Sequence, residues 1–247
     1  MIDSFEKEGV LFKFKDLCET NKFREWFIAS FATWESETFA CFKRVANKDK
    51  ICLDIGAFIG MTPIWLCKHF KHVICVEADK LSVKSLEDNL NLSECSNFTI
   101  KHNAFFNKKT QLLFGSNNFR KCELNESMSQ IKFKQTKQDD YYIHTIVLSE
   151  LVSDIDPLDI GLIKIDIEGG EEFVIDEVVH YCTDNKIPFL LSFHIDWWTN
   201  KNIDSLPKLF SKCIIYSDKD QGVIVDDLLG FLKANPFATL FVKDYKD

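Results

Sequence analysis

The chain has 247 residues, 46% of them hydrophobic, with 23 Phe and 5 Trp, enough to bury one sizeable core and too few for two full domains. A formal charge of -8 argues against a nucleic-acid backbone as the main partner, because phosphate contacts need clustered Lys and Arg. The N-terminus carries Asp3, Glu6 and Glu8 where an export signal has a basic region, and no run of about 18 apolar residues occurs, so the expectation is a cytoplasmic protein without a membrane span. Cys18, Cys41, Cys52, Cys67, Cys75, Cys95, Cys122, Cys182 and Cys213 are scattered singly with no CxxC pair, the pattern of reduced thiols acting as small hydrophobes.

In chain order, residues 1–48, with the aromatic stretch Trp26, Phe27, Phe31 and Trp34, read as a helical cover over one edge of the core. From Lys50 onward, short apolar runs alternate with amphipathic helical stretches, the signature of a mostly parallel sheet covered on both faces. Strands are expected at Ile51 to Ile55, His72 to Glu77, Phe98 to Asn103, Gly161 to Asp166 and Ile187 to His194. Helices are expected at Thr62 to Phe70, Lys80 to Leu92, Gly170 to Asp184 and Asn202 to Lys212. Residues 115–140, rich in Ser, Asn and Lys and without a clear period, read as a long loop or lid inserted in the sheet, where specificity often resides. Cys213 to Tyr216 and Thr239 to Val242 read as a closing antiparallel pair. With no repeat and no Pro/Gly/Ser linker, residues 1–247 are expected to form one α/β, Rossmann-like domain.

The strongest local signal is Ile-Cys-Leu-Asp-Ile-Gly-Ala-Phe-Ile-Gly at 51–60: a strand carrying Asp54, then Gly56 and Gly60, then a helix. Glycines there let the backbone bend sharply and approach a ligand. The next strand delivers Glu77 at its tip about 20 residues later, where an acidic ribose ligand belongs in such sheets. A dinucleotide site needs pyrophosphate room and a Gly-x-Gly-x-x-Gly turn, whereas Ala57 and Phe58 follow Gly56 and the third glycine is absent. A cofactor without phosphates is favoured. S-adenosylmethionine fits: Glu77 for the ribose diol with Ala78 beside it, Gly56, Ala57 and Gly60 for the methionine end, Asn103 and Ala104 toward the adenine. The plainer readings are a turn or capping role for Asp54, an exposed strand-end charge for Glu77 and a plain turn at Asn103.

Five blocks occur in an order that resembles the FkbM family of methyltransferases: Trp-Glu-Ser-Glu-Thr-Phe (34–39), Leu-Asp-Ile-Gly-Ala-Phe-Ile-Gly (53–60), Val-Glu-Ala-Asp (76–79), Asn-Leu-Asn-Leu (89–92) and Leu-Ile-Lys-Ile-Asp-Ile-Glu-Gly-Gly-Glu (162–171). The resemblance implies the class I methyltransferase fold, a seven-stranded sheet with its last strand antiparallel, and O-methylation of sugar or natural-product hydroxyls. It also implies that Glu35 and Thr38 lie close to the glycine turn, near the methionine end; read alone, Ser36 or Thr38 would simply cap a helix. Two departures stand out: the Asp common after a Thr-Leu pair is missing from Thr-Ile-Val-Leu-Ser (145–149), and Phe58 stands where Asn is frequent.

Methyl transfer from a sulfonium is an in-line displacement, so the protein must align an acceptor oxygen and relieve it of its proton. In an open parallel sheet this chemistry gathers at the carboxyl ends of the strands. Lys164 and Asp166 share a strand face at such an end, with Glu168 and Glu171 close by; Asp166 is the leading polar group beside the methyl, and Glu171 and Glu172 alternatively favour a helix start. His194 and Asp196 come to the same rim, where His194 is a candidate base or a structural hydrogen-bonder. Trp197 and Trp198 offer a platform for a sugar ring or belong to the core, and Asp139 and Asp140 read as solvated charges. No fixed ligand spacing demands a metal; a divalent cation, if held, would use Asp166, Glu168 and His194. The favoured function is O-methylation of a sugar or glycan hydroxyl. The alternatives are another natural-product acceptor, a nicotinamide-dependent oxidoreductase, and a non-catalytic cofactor-binding module.

Overall fold

The computed structural model describes residues 2–15, 21–116, 129–135, 138, 140–217 and 223–246. It opens with strands β1 (Ile2–Lys7) and β2 (Val10–Lys15), followed by helices α1 (Asn21–Ser30) and α2 (Ser36–Val45). The α/β alternation follows as β3 (Ile51–Ile55), α3 (Pro63–His69), β4 (His72–Glu77), α4 (Lys80–Leu92) and β5 (Phe98–His102). Next come β6 (Ala104–Phe105), β7 (Gln111–Ser116), β8 (Ser129–Lys132), β9 (Tyr141–Ile146) and α5 (Leu148–Leu151). The chain continues through β10 (Ile160–Ile165), a 3-10 turn at Gly170–Phe173, α6 (Ile175–Asn185) and β11 (Phe189–Ser192). A second 3-10 turn at Ile195–Trp197 precedes α7 (Leu206–Leu209), β12 (Cys213–Ser217), α8 (Leu228–Ala234) and β13 (Thr239–Tyr245).

The main sheet has seven strands in the order β12-β13-β11-β10-β3-β4-β5. β11, β10, β3, β4 and β5 run parallel, while β13 is antiparallel to both neighbours, as expected for the closing pair. The central strands are buried on both faces and so read as continuous apolar runs. Their side chains alternate between two cores. Leu53, Ile163, Leu191 and Leu240 point to the face covered by α6, α7 and α8; Cys52, Leu162, Leu190 and Phe241 point to the face covered by α2, α3 and α4. Asp79 caps α4 by accepting from the N–H groups of Leu81 and Ser82 at 2.8 and 3.1 Å.

The helical cover expected over residues 1–48 is corrected at its start. Val10-Leu-Phe-Lys-Phe-Lys alternates with period two, burying Val10, Phe12 and Phe14, and Glu8 and Gly9 both take positive φ (51° and 74°), the geometry of a tight hairpin turn. Asn89 and Ser93 accept from the N–H groups of Lys15 and Lys13, both at 2.9 Å, tying the hairpin to α4.

The lid expected at 115–140 is corrected at both ends: β7 and β8 pair in a four-stranded sheet ordered β6-β9-β7-β8. Residues 117–128, 136–137 and Asp139 lie outside the described residues, as do Cys18 and Cys122. Asp140 is not a solvated charge; it is buried and paired with Lys132 at 2.6 Å, since pairing β8 carries the lysine inward. The expected helix Asn202 to Lys212 contracts to α7, which Pro207 opens and which stops at Leu209. The strand expected to reach His194 ends at Ser192, so His194 begins a turn. Cys41, Cys52, Cys67, Cys75, Cys95, Cys182 and Cys213 are buried thiols, and no helix among the described residues is long and apolar enough to cross a membrane.

Candidate active site

A cleft opens where the carboxyl ends of β3, β4 and β10 meet. Of the residues singled out from sequence, Glu35, Gly56, Ala57, Glu77, Ala78, Asn103, Ala104, Lys164, Asp166 and Glu168 line it. Thr38, Asp54, Gly60 and His194 do not. Sequence reading passed over Trp34, Phe58 and Thr62 as lining residues, and also Phe114 and Ile131, which come from the second sheet and carry no local motif.

Gly56 turns the chain out of β3 with φ of 84°, and a Cβ there would stand 1.7 Å from the backbone oxygen of Asp166. Its N–H donates to Val76 at 2.9 Å, which binds the turn to β4. Gly56→Ala is therefore expected to destabilise the fold by about 2–4 kcal/mol, because left-handed strain adds to a forced retreat of the end of β10. Chemical denaturation measures this, and an unchanged midpoint would contradict the tight approach.

Glu77 is anchored at the tip of β4. One carboxylate oxygen accepts the Phe58 N–H at 2.8 Å and the other the Asp79 N–H at 2.7 Å. Burial pushes its carboxyl up to about 7, against the opposing pull of those backbone donors. Phe58 reaches this carboxylate through its backbone, in a left-handed conformation (φ 48°), so the departure from the more frequent Asn does not remove the contact.

Asp54 lies behind the cleft wall, where neither of its plainer readings applies. It accepts from the Thr62 hydroxyl at 2.6 Å and from the Lys164 ammonium at 3.0 Å, and Lys164 also donates to the Gly56 carbonyl at 3.2 Å. Adjacent register on β3 and β10 places the two side by side. Burial raises the Asp54 carboxyl. Burial also pulls the Lys164 ammonium down, but Asp54, Asp166 and Glu35 together outweigh it and hold Lys164 above its ordinary value. Held charged in this way, Lys164 sits as a cation under the glycine turn and is not placed to act as a base at neutral pH.

Trp34 and Glu35 reach the cleft from a turn held by the hairpin: the buried Lys7 ammonium donates to the carbonyls of Phe31 at 3.0 Å and of Trp34. Glu35 is the N-cap of α2 with φ of 46° and makes no side-chain cap bond, while Ser36 donates to the Thr33 carbonyl, so the capping alternative for Ser36 or Thr38 is corrected.

At the outer end, Glu171 is no mere helix-start charge. Fully buried, it accepts from the N–H groups of Ile167 and Gly169 at 3.1 and 3.0 Å, from the Trp198 indole at 3.2 Å and from His194 Nδ1 at 2.9 Å. Glu172 accepts from Thr199 and Asn200, fastening the same loop. His194 Nε2 faces Asp166 and Glu168 at 3.7 and 3.5 Å. Burial acts to lower the imidazole, yet Glu171 foremost, with Asp166 and Glu168, raises it to about 9; burial raises Glu168 to about 8. Trp198 belongs to the core, whereas Trp197 stacks on the His194 ring at 5.1 Å and the half-exposed Phe237 packs edge-on against Trp197 at 5.3 Å. Asp196 is exposed and faces Lys201 at 3.9 Å.

The fold has known counterparts. The chain is similar to the FkbM methyltransferase from Methylobacillus flagellatus KT, with a TM-score of 0.50 and 14% identity over 79% of this chain and 44% of that one. It is also similar to the T. thermophilus 16S rRNA N2 G1207 methyltransferase RsmC, solved with AdoMet and guanosine, with a TM-score of 0.50 and 13% identity over 99% of this chain and 50% of that one. The fold is that of the class I, Rossmann-like methyltransferases. The chain spans about half the length of these two proteins. No protein-family model and no curated protein matches its sequence.

Proposed function

We propose that this protein is an S-adenosylmethionine-dependent O-methyltransferase acting on a hydroxyl of a sugar or glycan. The observation that carries the reading is the Glu77 carboxylate, buried in the cleft wall and fixed by two backbone donors beside the Gly56 turn. The cleft suits a phosphate-free nucleoside. Ala57, Ala78 and Ala104 leave room along its wall, Phe114 and Ile131 supply an apolar side, and Asp166, Glu168 and Glu35 supply the negative charge that a sulfonium attracts. Glu77 would hold the ribose diol, Asn103 and Ala104 the adenine side, and Gly56, Ala57 and Glu35 the methionine end. Bound there, the cofactor supplies an electrophilic methyl carbon.

The chain's own residues do the rest. Lys164 and Asp54 hold the glycine turn in place from below. Asp166 and Glu168 line the end where an acceptor hydroxyl would approach, with His194 3.7 and 3.5 Å from them, placed to orient it and to ease loss of its proton as the new C–O bond forms and the methyl leaves sulfur. Trp197 and Phe237, set edge to face beside His194 with Phe237 half-exposed, give that side aromatic rings against which a sugar can pack, which favours a sugar acceptor. The proposed membership of the FkbM family is supported by the five ordered sequence blocks. Transfer of radiolabelled methyl from the cofactor to a panel of mono- and oligosaccharides tests the reading; labelling of a nucleic acid or of no hydroxyl compound would overturn it.

The raised Glu77 carboxyl gives a signed pH expectation. A ribose diol donates to the ionised form, so affinity for S-adenosylhomocysteine rises as pH climbs through about 7 and falls by about tenfold per unit well below it. The bare fold goes the other way: an acid raised from 4.5 to about 7 favours the folded state at low pH, and that contribution is lost as pH rises across this window. Ligand-induced stabilisation is therefore larger at pH 8 than at pH 6. Melting curves with and without ligand at the two pH values measure the difference, and equal shifts would contradict a diol held by Glu77.

A further inference from the structure

Asp166 and His194 follow neighbouring parallel strands, β10 and β11, and Glu168 swings toward them from a left-handed backbone position (φ 56°). One ligand-type atom from each residue lies within 4.8 Å of the others. His194 Nε2 is 3.7 Å from Asp166 and 3.5 Å from Glu168, beyond hydrogen-bond range and near the spacing of atoms that share one small ion.

Two independent observations point to a cation between them. The first is the opposite side of the imidazole: Nδ1 is bonded to Glu171, itself fully buried and held by two backbone N–H groups and the Trp198 indole. A carboxylate on the far nitrogen keeps the Nδ1 proton in place, so a metal arriving at Nε2 displaces the proton that the surrounding carboxylates hold there, and metal-binding histidines are commonly held this way. The second is Glu168 Oε2, an atom shut off from solvent with no hydrogen-bond partner among the described residues. The group facing it, His194 Nε2 at 3.5 Å, stands too far away to hydrogen-bond it, and a buried carboxylate oxygen without a hydrogen bond is unfavourable unless a positive group comes closer. The nearby Lys164 does not serve, since its ammonium donates to Asp54 and Gly56.

We propose that Asp166, Glu168 and His194 form a divalent-cation site at the acceptor end of the cleft. Two carboxylates and one imidazole, with open positions left over, suit Mn2+ or Mg2+. Those open positions would take water or the adjacent hydroxyls of an acceptor, lowering the pKa of the oxygen to be methylated, its proton passing to water. That catalytic role rests on the methyl-transfer reading above, but binding of the ion does not.

The test uses the full chain, stripped with EDTA and dialysed. Mn2+ alone is titrated in, its free signal followed by electron paramagnetic resonance, and Mg2+ is then added as competitor. One saturable Mn2+ per chain is expected, with a dissociation constant below about 100 µM. Glu168→Gln and His194→Gln are each expected to weaken it at least about tenfold. Glu77→Ala leaves Mn2+ binding unchanged. Circular dichroism checks the fold, and Glu168→Gln, whose Oε2 has no hydrogen bond to lose, keeps the test open if His194→Gln does not fold. Absence of saturable Mn2+ binding, or Mn2+ binding by both variants as tight as the parent's, overturns the site. If Mn2+ binds while S-adenosylhomocysteine gives no calorimetric signal, the cation site stands and the methyl-transfer reading fails.

Discussion

Glu77→Ala is expected to lower affinity for S-adenosylmethionine and S-adenosylhomocysteine by about 150- to 20,000-fold. Two hydrogen bonds from a ribose diol to a charged acceptor contribute about 1.5–3 kcal/mol each, so losing both costs about 3–6 kcal/mol of binding. The fold survives the change. Removing a carboxylate that burial has already raised to about 7 relieves desolvation, and what is lost is its acceptance of the Phe58 and Asp79 N–H groups. Calorimetric titration measures the affinity and thermal melting the fold. A variant that melts like the parent and binds equally well would remove the ribose from Glu77. Glu77→Gln separates the two contributions of the side chain: its amide oxygen still accepts from one backbone donor while the negative charge is gone, so binding falls by an intermediate factor and loses its dependence on pH near 7.

The second large effect is on stability. Lys164→Met leaves Asp54 without its ammonium partner in a fully buried position, retaining only the Thr62 hydroxyl. Breaking one side of a buried ion pair typically costs about 3–5 kcal/mol. At this chain length that corresponds to a fall in Tm of roughly 6–20 °C. Asp54→Leu added to Lys164→Met removes the stranded carboxylate as well, and the double variant is expected to recover most of the loss. A double variant no more stable than Lys164→Met would mean that the pair matters through the Gly56 carbonyl that Lys164 also holds. In that case the glycine turn stays disturbed and cofactor affinity falls together with Tm, whereas recovery of both Tm and affinity puts the cost in the stranded Asp54 carboxylate.

The central βαβ units were legible because their signals are local. The Ile51–Ile55 and His72–Glu77 strands and the Lys80–Leu92 helix have the bounds that hydrophobic runs and the Asp79 cap imply. Once two parallel strands are set side by side, register carries Glu77 and the Gly56 turn to the same end of the sheet. Ten of the residues singled out for the site meet in the cleft, those of β3, β4 and β10 through this register and Glu35 through the turn before α2. The N-terminal hairpin was legible in principle, since Val10, Phe12 and Phe14 alternate, but the aromatic residues after it suggested a helical face and masked the period of two.

What the chain's order of residues settles alone is the sheet, its glycine turn and the acidic tip beside it, all produced by backbone preference and by periodicity within one strand or helix. Tertiary structure alone decides which charges are partners. Asp54 is 110 residues from Lys164 and His194 is 23 from Glu171, and neither pairing follows from anything near in sequence. The same holds for the second sheet, whose Phe114 and Ile131 wall the cleft. Local pattern fixes which face a side chain takes, but the group it meets there depends on how separate strands are brought together, and that is governed by burial of the whole core.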